Sequence, residues 1–236
     1  MKQIIVLLFI FGTSINSYSQ KQIDNQFNSW WTYSGNHTLS DKWRVHTLYS
    51  WRRNNFVKNW QQSLLRIGLN YKVNDNFITT VGYDWVETFP YGRQPIAKQT
   101  TEQRIFEQVI LKNKVGIVKF KHRYKLEQRF SNKAPVKNRF RYRLGFSIPL
   151  GKKESKLSFN VFDEIFINLG TNIKGYYFNQ NWIYLGLGYK LNKKSTIKLG
   201  YMNQYLMKGD FIHVESNHTL QIGFGYNLDF RKNTSK

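Results

Sequence analysis

The chain has 236 residues and carries 36 Lys and Arg against 14 Asp and Glu, a formal charge of +22. A mean hydropathy of -0.55 excludes a bundle of membrane helices. With 4 Pro and no Cys, the composition also excludes a collagen-like chain and a disulfide framework.

The first residues, MKQIIVLLFIFGTSINSYSQ, have the parts of a secretion signal. Lys2 supplies the positive region, Ile4 to Phe11 the apolar core, and Ser17 and Ser19 the small residues before a cut at Gln20. Residues 1–19 therefore read as a signal peptide and 20–236 as one exported domain. Export argues against nucleic acid as the partner of this basic, aromatic-rich chain. No zinc finger, glycine-rich phosphate loop or DNA-reading helix accompanies the charge.

From there a period of two runs through the sequence. WRVHTLYSW places Trp43, Val45, Thr47, Tyr49 and Trp51 on one face. SLLRIGLNYK sets Leu65, Ile67, Leu69 and Tyr71 against Arg66, Gly68, Asn70 and Lys72. NFITTVGYDW groups Phe77, Thr79, Val81, Tyr83 and Trp85 opposite Gly82 and Asp84. KFKHRYKLEQRF has a charged face from Lys119 to Arg129 and a largely aromatic one from Phe120 to Phe130. RFRYRLGFSI and LQIGFGYNLDF repeat the pattern, with Arg139, Arg141 and Arg143 on one side of the former. Less regular candidates are Gln26 to Gly35, Thr101 to Lys112, Lys156 to Leu169, Trp182 to Leu191 and Ser195 to Tyr205.

Tight connections (VNDN, KNK at 112–114, GKKES, NKK) alternate with longer polar ones. The longer ones are the region Arg53 to Asn59, ETFPYGRQPIAKQ, SNKAPVK, GTNIKGYYFNQ and MKGDFIHVES. Long strands, alternating loop length and export together predict an all-β fold. It is an antiparallel transmembrane β-barrel with short periplasmic turns and longer extracellular loops. Its apolar faces meet lipid, its charged faces line the lumen, and inward glycines relieve crowding. Counting in chain order gives about eleven strands, the first descending. Both termini in the periplasm require an even number, so ten or twelve are expected.

NSWWTYS, RFRYRLGFSIPL, FDEIFIN at 162–168, FNQNWIYLGLGYKLN at 178–192, GYMNQY at 200–205 and NHTLQIGFGYNL at 217–228 resemble a known family. It is a family of outer-membrane β-barrels from Bacteroidota, the domain of unknown function 2490, and the resemblance covers essentially the whole exported chain. It implies a barrel in the outer membrane and supplies no activity. In similar proteins an arginine follows FDQN or FNQN where this chain has Trp182, which implies a partly different luminal network.

The candidate site is luminal: Asp84, Glu107, Glu127 and Glu164 among Arg66, Arg104, Arg123, Arg139, Arg141 and Arg143. Strict alternation puts Glu107 with Ile105 and Val109, so an inward Glu107 needs a bulge or a rim position. Paired arginines and carboxylates filling a narrow barrel is the favoured reading. A basic cavity for an anionic solute or lipid headgroup is the alternative, because guanidinium forks suit phosphate and carboxylate. A lipid hydrolase is the second alternative. It rests on Ser216, Asn217 and His218 in ESNHTL, whose directions alternation separates. No catalytic residue, metal ligand or cofactor is assigned: the five histidines are scattered, and His213 and His218 approach only if they share a loop. Outer-membrane lipids, lipopolysaccharide, the outer-membrane insertion machinery and, in the alternative reading, an anionic ligand are the expected partners.

Overall fold

The computed structural model describes residues 21–91, 100–151 and 155–231. The signal segment lies outside the described residues, as do 92–99 of ETFPYGRQPIAKQ and 152–154 of GKKES.

The alternating segments form eleven strands: β1 (Gln22–Thr38), β2 (Trp43–Asn54), β3 (Asn59–Lys72), β4 (Phe77–Thr88), β5 (Thr100–Val115), β6 (Val118–Ser131), β7 (Ala134–Pro149), β8 (Leu157–Leu169), β9 (Phe178–Lys190), β10 (Ser195–Met207) and β11 (His213–Tyr226). Each pairs with its neighbour in sequence, and β1 pairs with β11, so the sheet is a closed barrel. Sequential neighbours are antiparallel. The closing pair is parallel, from Gln22 opposite His213 to Ser34 opposite Gly225. Among the described residues the count is thus eleven, between the two even numbers expected. The first strand runs in the same direction as the last, and a parallel seam removes the need for an even count.

The shortest strands have 12 residues, more than the roughly 9–11 that cross a bilayer when tilted. Period-two alternation sends apolar side chains outward: Ile67, Val81 and Leu199 are each more than half exposed. Aromatic pairs stand near both ends of the wall. Trp43 and Tyr71 have ring centroids 4.8 Å apart at one end, and Trp51 and Trp60 6.2 Å apart toward the other. An apolar exterior, aromatic girdles, a charged interior and no free sheet edge make this a membrane-spanning barrel.

Several expected loops are strand instead. KNK lies inside β5, and the chain turns at Gly116, whose φ of 59° suits a residue without Cβ. SNKAPVK belongs to β6 and β7 except for 132–133, and the Arg53 to Asn59 connection shortens to 55–58. Cross-strand pairing satisfies these polar backbones, which local composition does not reveal. The longest remaining connections, 89–99 and 170–177, are at the same end of the barrel. Inward glycines make room for large side chains. A Cβ on Gly186 or Gly200 would collide with Tyr184, and one on Gly82 would collide with Phe106.

Candidate functional site

Inward positions of β3–β8 carry a continuous ionic belt. Asp84, Glu127 and Glu164 are completely buried. Arg66 grips Asp84 with Nε to Oδ1 at 2.6 Å and Nη2 to Oδ2 at 2.7 Å. Lys125 joins Asp84 at 3.3 Å to Glu127 at 2.9 Å. On Glu127, Arg139 donates Nε and Nη2 to Oε2 at 2.9 and 2.6 Å, and Arg141 donates Nη1 to Oε1 at 2.7 Å. Arg141 also reaches Glu164 Oε1 at 2.8 Å. Glu164 further accepts from Arg123 at 2.5 Å and from Arg143 Nε at 2.7 Å. Closer to the 89–99 end, Glu102 accepts from Arg104 and, at 3.0 and 2.7 Å, from Arg129.

Aromatic faces back these cations. Lys125 lies 3.8 Å from the Phe106 centroid, Arg141 4.1 Å from Phe166, Arg143 3.7 Å from Phe162 and Arg52 3.7 Å from Trp30. Each charge is thus held by carboxylate or amide oxygens on one side and a ring quadrupole on the other. Trp182 is one of these inward rings. It packs on Phe166 and Trp30 and donates to Gln180, so an aromatic ring belongs to the network at this position.

The belt fills only part of the lumen. A cavity of about 1350 Å³ runs beside it, from Thr100 and Glu102 to Lys114 and Lys119. Just after β4, Tyr91 accepts from Asn28 and Gln61 at 3.2 and 2.7 Å and donates to Asn217 at 3.2 Å. Toward the tight-turn end, Lys112 stands opposite Lys121 and Lys114 opposite Lys119. Lys198 lines the same cavity. None of these five lysines forms an ion pair with a described acidic residue. Above them, Arg123 Nε is buried without a hydrogen-bond partner. Where opposed cations recur higher up, as at Arg123 and Arg143 or Lys125 and Arg141, a carboxylate bridges them.

All the expected site residues point inward except Glu107. It is exposed on the outer wall, where it accepts from Gln128 Nε2 at 3.2 Å, because β5 pairs with β4 and β6 without a bulge at this point. The luminal acid of β5 is Glu102. Its place two residues before Arg104 is the signal that identifies it, since i and i+2 share a face. Lys125 and the inward Phe106, Phe162 and Phe166 were legible in the same way, by parity with their charged neighbours.

Ser216 and His218 share the outer face, whereas Asn217 points into the lumen and donates to Gln204. Asn203 donates to Ser216 Oγ at 3.1 Å, and His218 Nδ1 is bonded to the Tyr201 hydroxyl at 2.6 Å. Serine and histidine are thus engaged with different neighbours and do not form a nucleophile–base hydrogen bond. His213 bonds to Asp210 at 2.6 Å, so the two histidines do not come together. The bonds from His213 hold the Asp210 carboxyl down, at about 2. Among the described residues no cluster has the composition of a metal site.

Residues 27–215 match the family model described as a protein of unknown function, DUF2490. The chain belongs to this family. An uncharacterized protein of Methylorubrum extorquens is 30% identical over 157 residues, covering 65% of this chain and 67% of that protein. Among solved structures, the NanC porin superposes with a TM-score of 0.52 at 12% identity, over 85% of this chain and 98% of that one, a likeness of fold. OmpT, an outer membrane protein of Vibrio cholerae, superposes with a TM-score of 0.40 at 11% identity; this chain covers 57% of its length.

Proposed function

We propose that this chain is an outer-membrane barrel of the Bacteroidota type, delivered by a cleaved leader, whose lumen binds small anionic solutes. Lipid and lipopolysaccharide surround it, and the outer-membrane insertion machinery places it. The tight turns face the periplasm and the longer connections the exterior. The observation that carries the binding reading is the opposition of Lys112 to Lys121 and of Lys114 to Lys119, beside Lys198, in an open cavity. Like charges directly across a sheet repel, and here no carboxylate separates them. A phosphate or carboxylate solute would supply the missing charge, with the unpartnered Nε of Arg123 as a further donor. The arginine belt above is already occupied by its own carboxylates and acts as a rigid wall of the site.

The test is calorimetric titration of the purified barrel with inorganic phosphate, together with reversal potentials in a salt gradient across a planar bilayer. Saturable phosphate binding that weakens with added salt is expected. Lys121→Glu with Lys198→Glu should abolish it and move the reversal potential toward cation preference. Wild-type protein that does not bind phosphate, or a double variant that binds it equally well, would overturn the proposal.

A further inference from the structure

The lysine end of the cavity has a second, neutral wall. Around the barrel from the lysines of β5 and β6, Ser34 and Asn36 of β1 and His46 of β2 line the same cavity. His46 is the fourth residue of β2 and Lys121 the fourth of β6, and both strands leave the tight-turn end. The two side chains are close enough to interact electrostatically across the lumen. Each neutral residue has an unused hydrogen-bonding atom. His46 Nδ1 lies 3.1 Å from the Gly35 carbonyl, so that nitrogen donates and the neutral ring presents Nε2 as an acceptor. Asn70 Nδ2 donates to Asn36 Oδ1 at 2.9 Å, which orients the Asn36 amide and leaves its Nδ2 as a donor. The Ser34 hydroxyl, which both donates and accepts, is bonded to no described residue. Opposite Ser34 and Thr32 on β11 stand Gly225 and Gly223, which leave space beside this wall.

The rest of the lining narrows what the body of an anionic solute can be. Among the described residues, Glu102 is the one carboxylate that lines the cavity, and it is already bonded to Arg104 and Arg129. An ammonium group on the solute therefore finds no free acid. The inward rings of the lining are capped by guanidinium groups: Arg143 lies 3.7 Å from the Phe162 centroid, Arg141 4.1 Å from Phe166 and Arg52 3.7 Å from Trp30. Phe162 is also stacked on Tyr184. A flat aromatic body would have to displace these contacts to stack. What remains free is a mixture of neutral donors and acceptors. Hydroxyl groups match that mixture, because each of them both donates and accepts.

We infer that the solute is a polyhydroxylated anion, a sugar carrying a phosphate or carboxylate at one end. The anionic end lies among Lys112, Lys121 and Lys198, and the hydroxyls of the body bond to Ser34, Asn36 and His46. Lysine ammonium groups supply charge without a fixed geometry, so selectivity among anions of equal charge falls to the neutral wall. A hydroxyl-free anion leaves those three polar groups without the solute's hydrogen bonds and is bound less tightly. This deepens the anion-binding reading and rests on it.

The test compares glucose 6-phosphate, phenyl phosphate and glucose by calorimetric titration of the purified full-length barrel. Glucose 6-phosphate and phenyl phosphate are both phosphate monoesters, and only the former has hydroxyls. Glucose 6-phosphate should bind about tenfold more tightly than phenyl phosphate, the scale of one or two neutral hydrogen bonds. Glucose alone should not bind measurably, since the charge is missing. Ser34→Ala with His46→Phe should bring the ratio of the two phosphate affinities to about one. Ser34→Ala alone, which removes a hydroxyl bonded to no described residue, should lower that ratio part of the way and keeps the test open if the double variant does not fold. Equal binding of both phosphates by the wild-type protein, or a ratio that neither variant changes, would overturn this inference and leave the anion-binding reading standing. Binding of neither phosphate would overturn both.

Discussion

Arg66 and Arg141 belong to one ionic belt, but their removal should differ in cost. Arg66→Gln takes from Asp84 its bonds at 2.6 and 2.7 Å and leaves Lys125 at 3.3 Å as its remaining ion-pair partner. Asp84 is fully buried, so this approaches the loss of one member of a buried pair, about 3–5 kcal/mol. Arg141→Gln breaks bonds to two carboxylates, yet both keep other cations. Glu127 retains Arg139 and Lys125, and Glu164 retains Arg123 and Arg143. In this part of the belt Arg66, Arg123, Lys125, Arg139, Arg141 and Arg143 meet three carboxylates, an excess of positive charge that losing Arg141 relieves. The expected cost is about 1.5–3 kcal/mol, that of charged hydrogen bonds without an orphaned ion. Guanidinium unfolding of the barrel in lipid vesicles, followed by tryptophan fluorescence, measures both. Adding Asp84→Asn to Arg66→Gln should recover much of the loss, because no buried charge is then left without its partner. The reasoning fails if Arg141→Gln destabilises as much as Arg66→Gln, or if Asp84→Asn restores nothing.

Two further outcomes follow from the wall and the leader. Ile67→Arg on the apolar face of β3 should destabilise the inserted barrel by about 2–4 kcal/mol, its position in the strand placing it near the bilayer middle; unchanged vesicle unfolding would show that this face does not meet hydrocarbon. The exported protein should begin at Gln20 and fractionate with the outer membrane, read by N-terminal sequencing of the membrane fraction, and an uncut soluble chain would reject the proposed location.

Period-two alternation made the strands legible, because each side chain's direction in a strand is fixed by parity alone. That is why Arg139, Arg141 and Arg143 are inward as expected, and why Ile105 and Val109 already marked Glu107 as doubtful. Parity also carried more than was taken from it: Glu102 follows from Arg104, and Ser216 shares a face with His218. Turns were less legible. The polar runs KNK and SNKAPVK look like loops, and only their pairing with neighbouring strands makes them sheet.

By itself the sequence determined that the chain alternates, that one set of faces is apolar and the other charged, and that such strands form a barrel. What a single chain of letters does not contain is which strand meets which across the closure, because that depends on twist and register accumulated over the whole sheet. Only the tertiary structure decided that β1 and β11 run parallel, giving an odd count. It alone decided which cations share a carboxylate, since Arg66 with Asp84 and Arg123 with Glu164 are 18 and 41 residues apart in the chain. The lysines near the tight turns stand without a carboxylate for the same reason. The register that brings acids to the arginines on the middle strands brings none to Lys112 and Lys121.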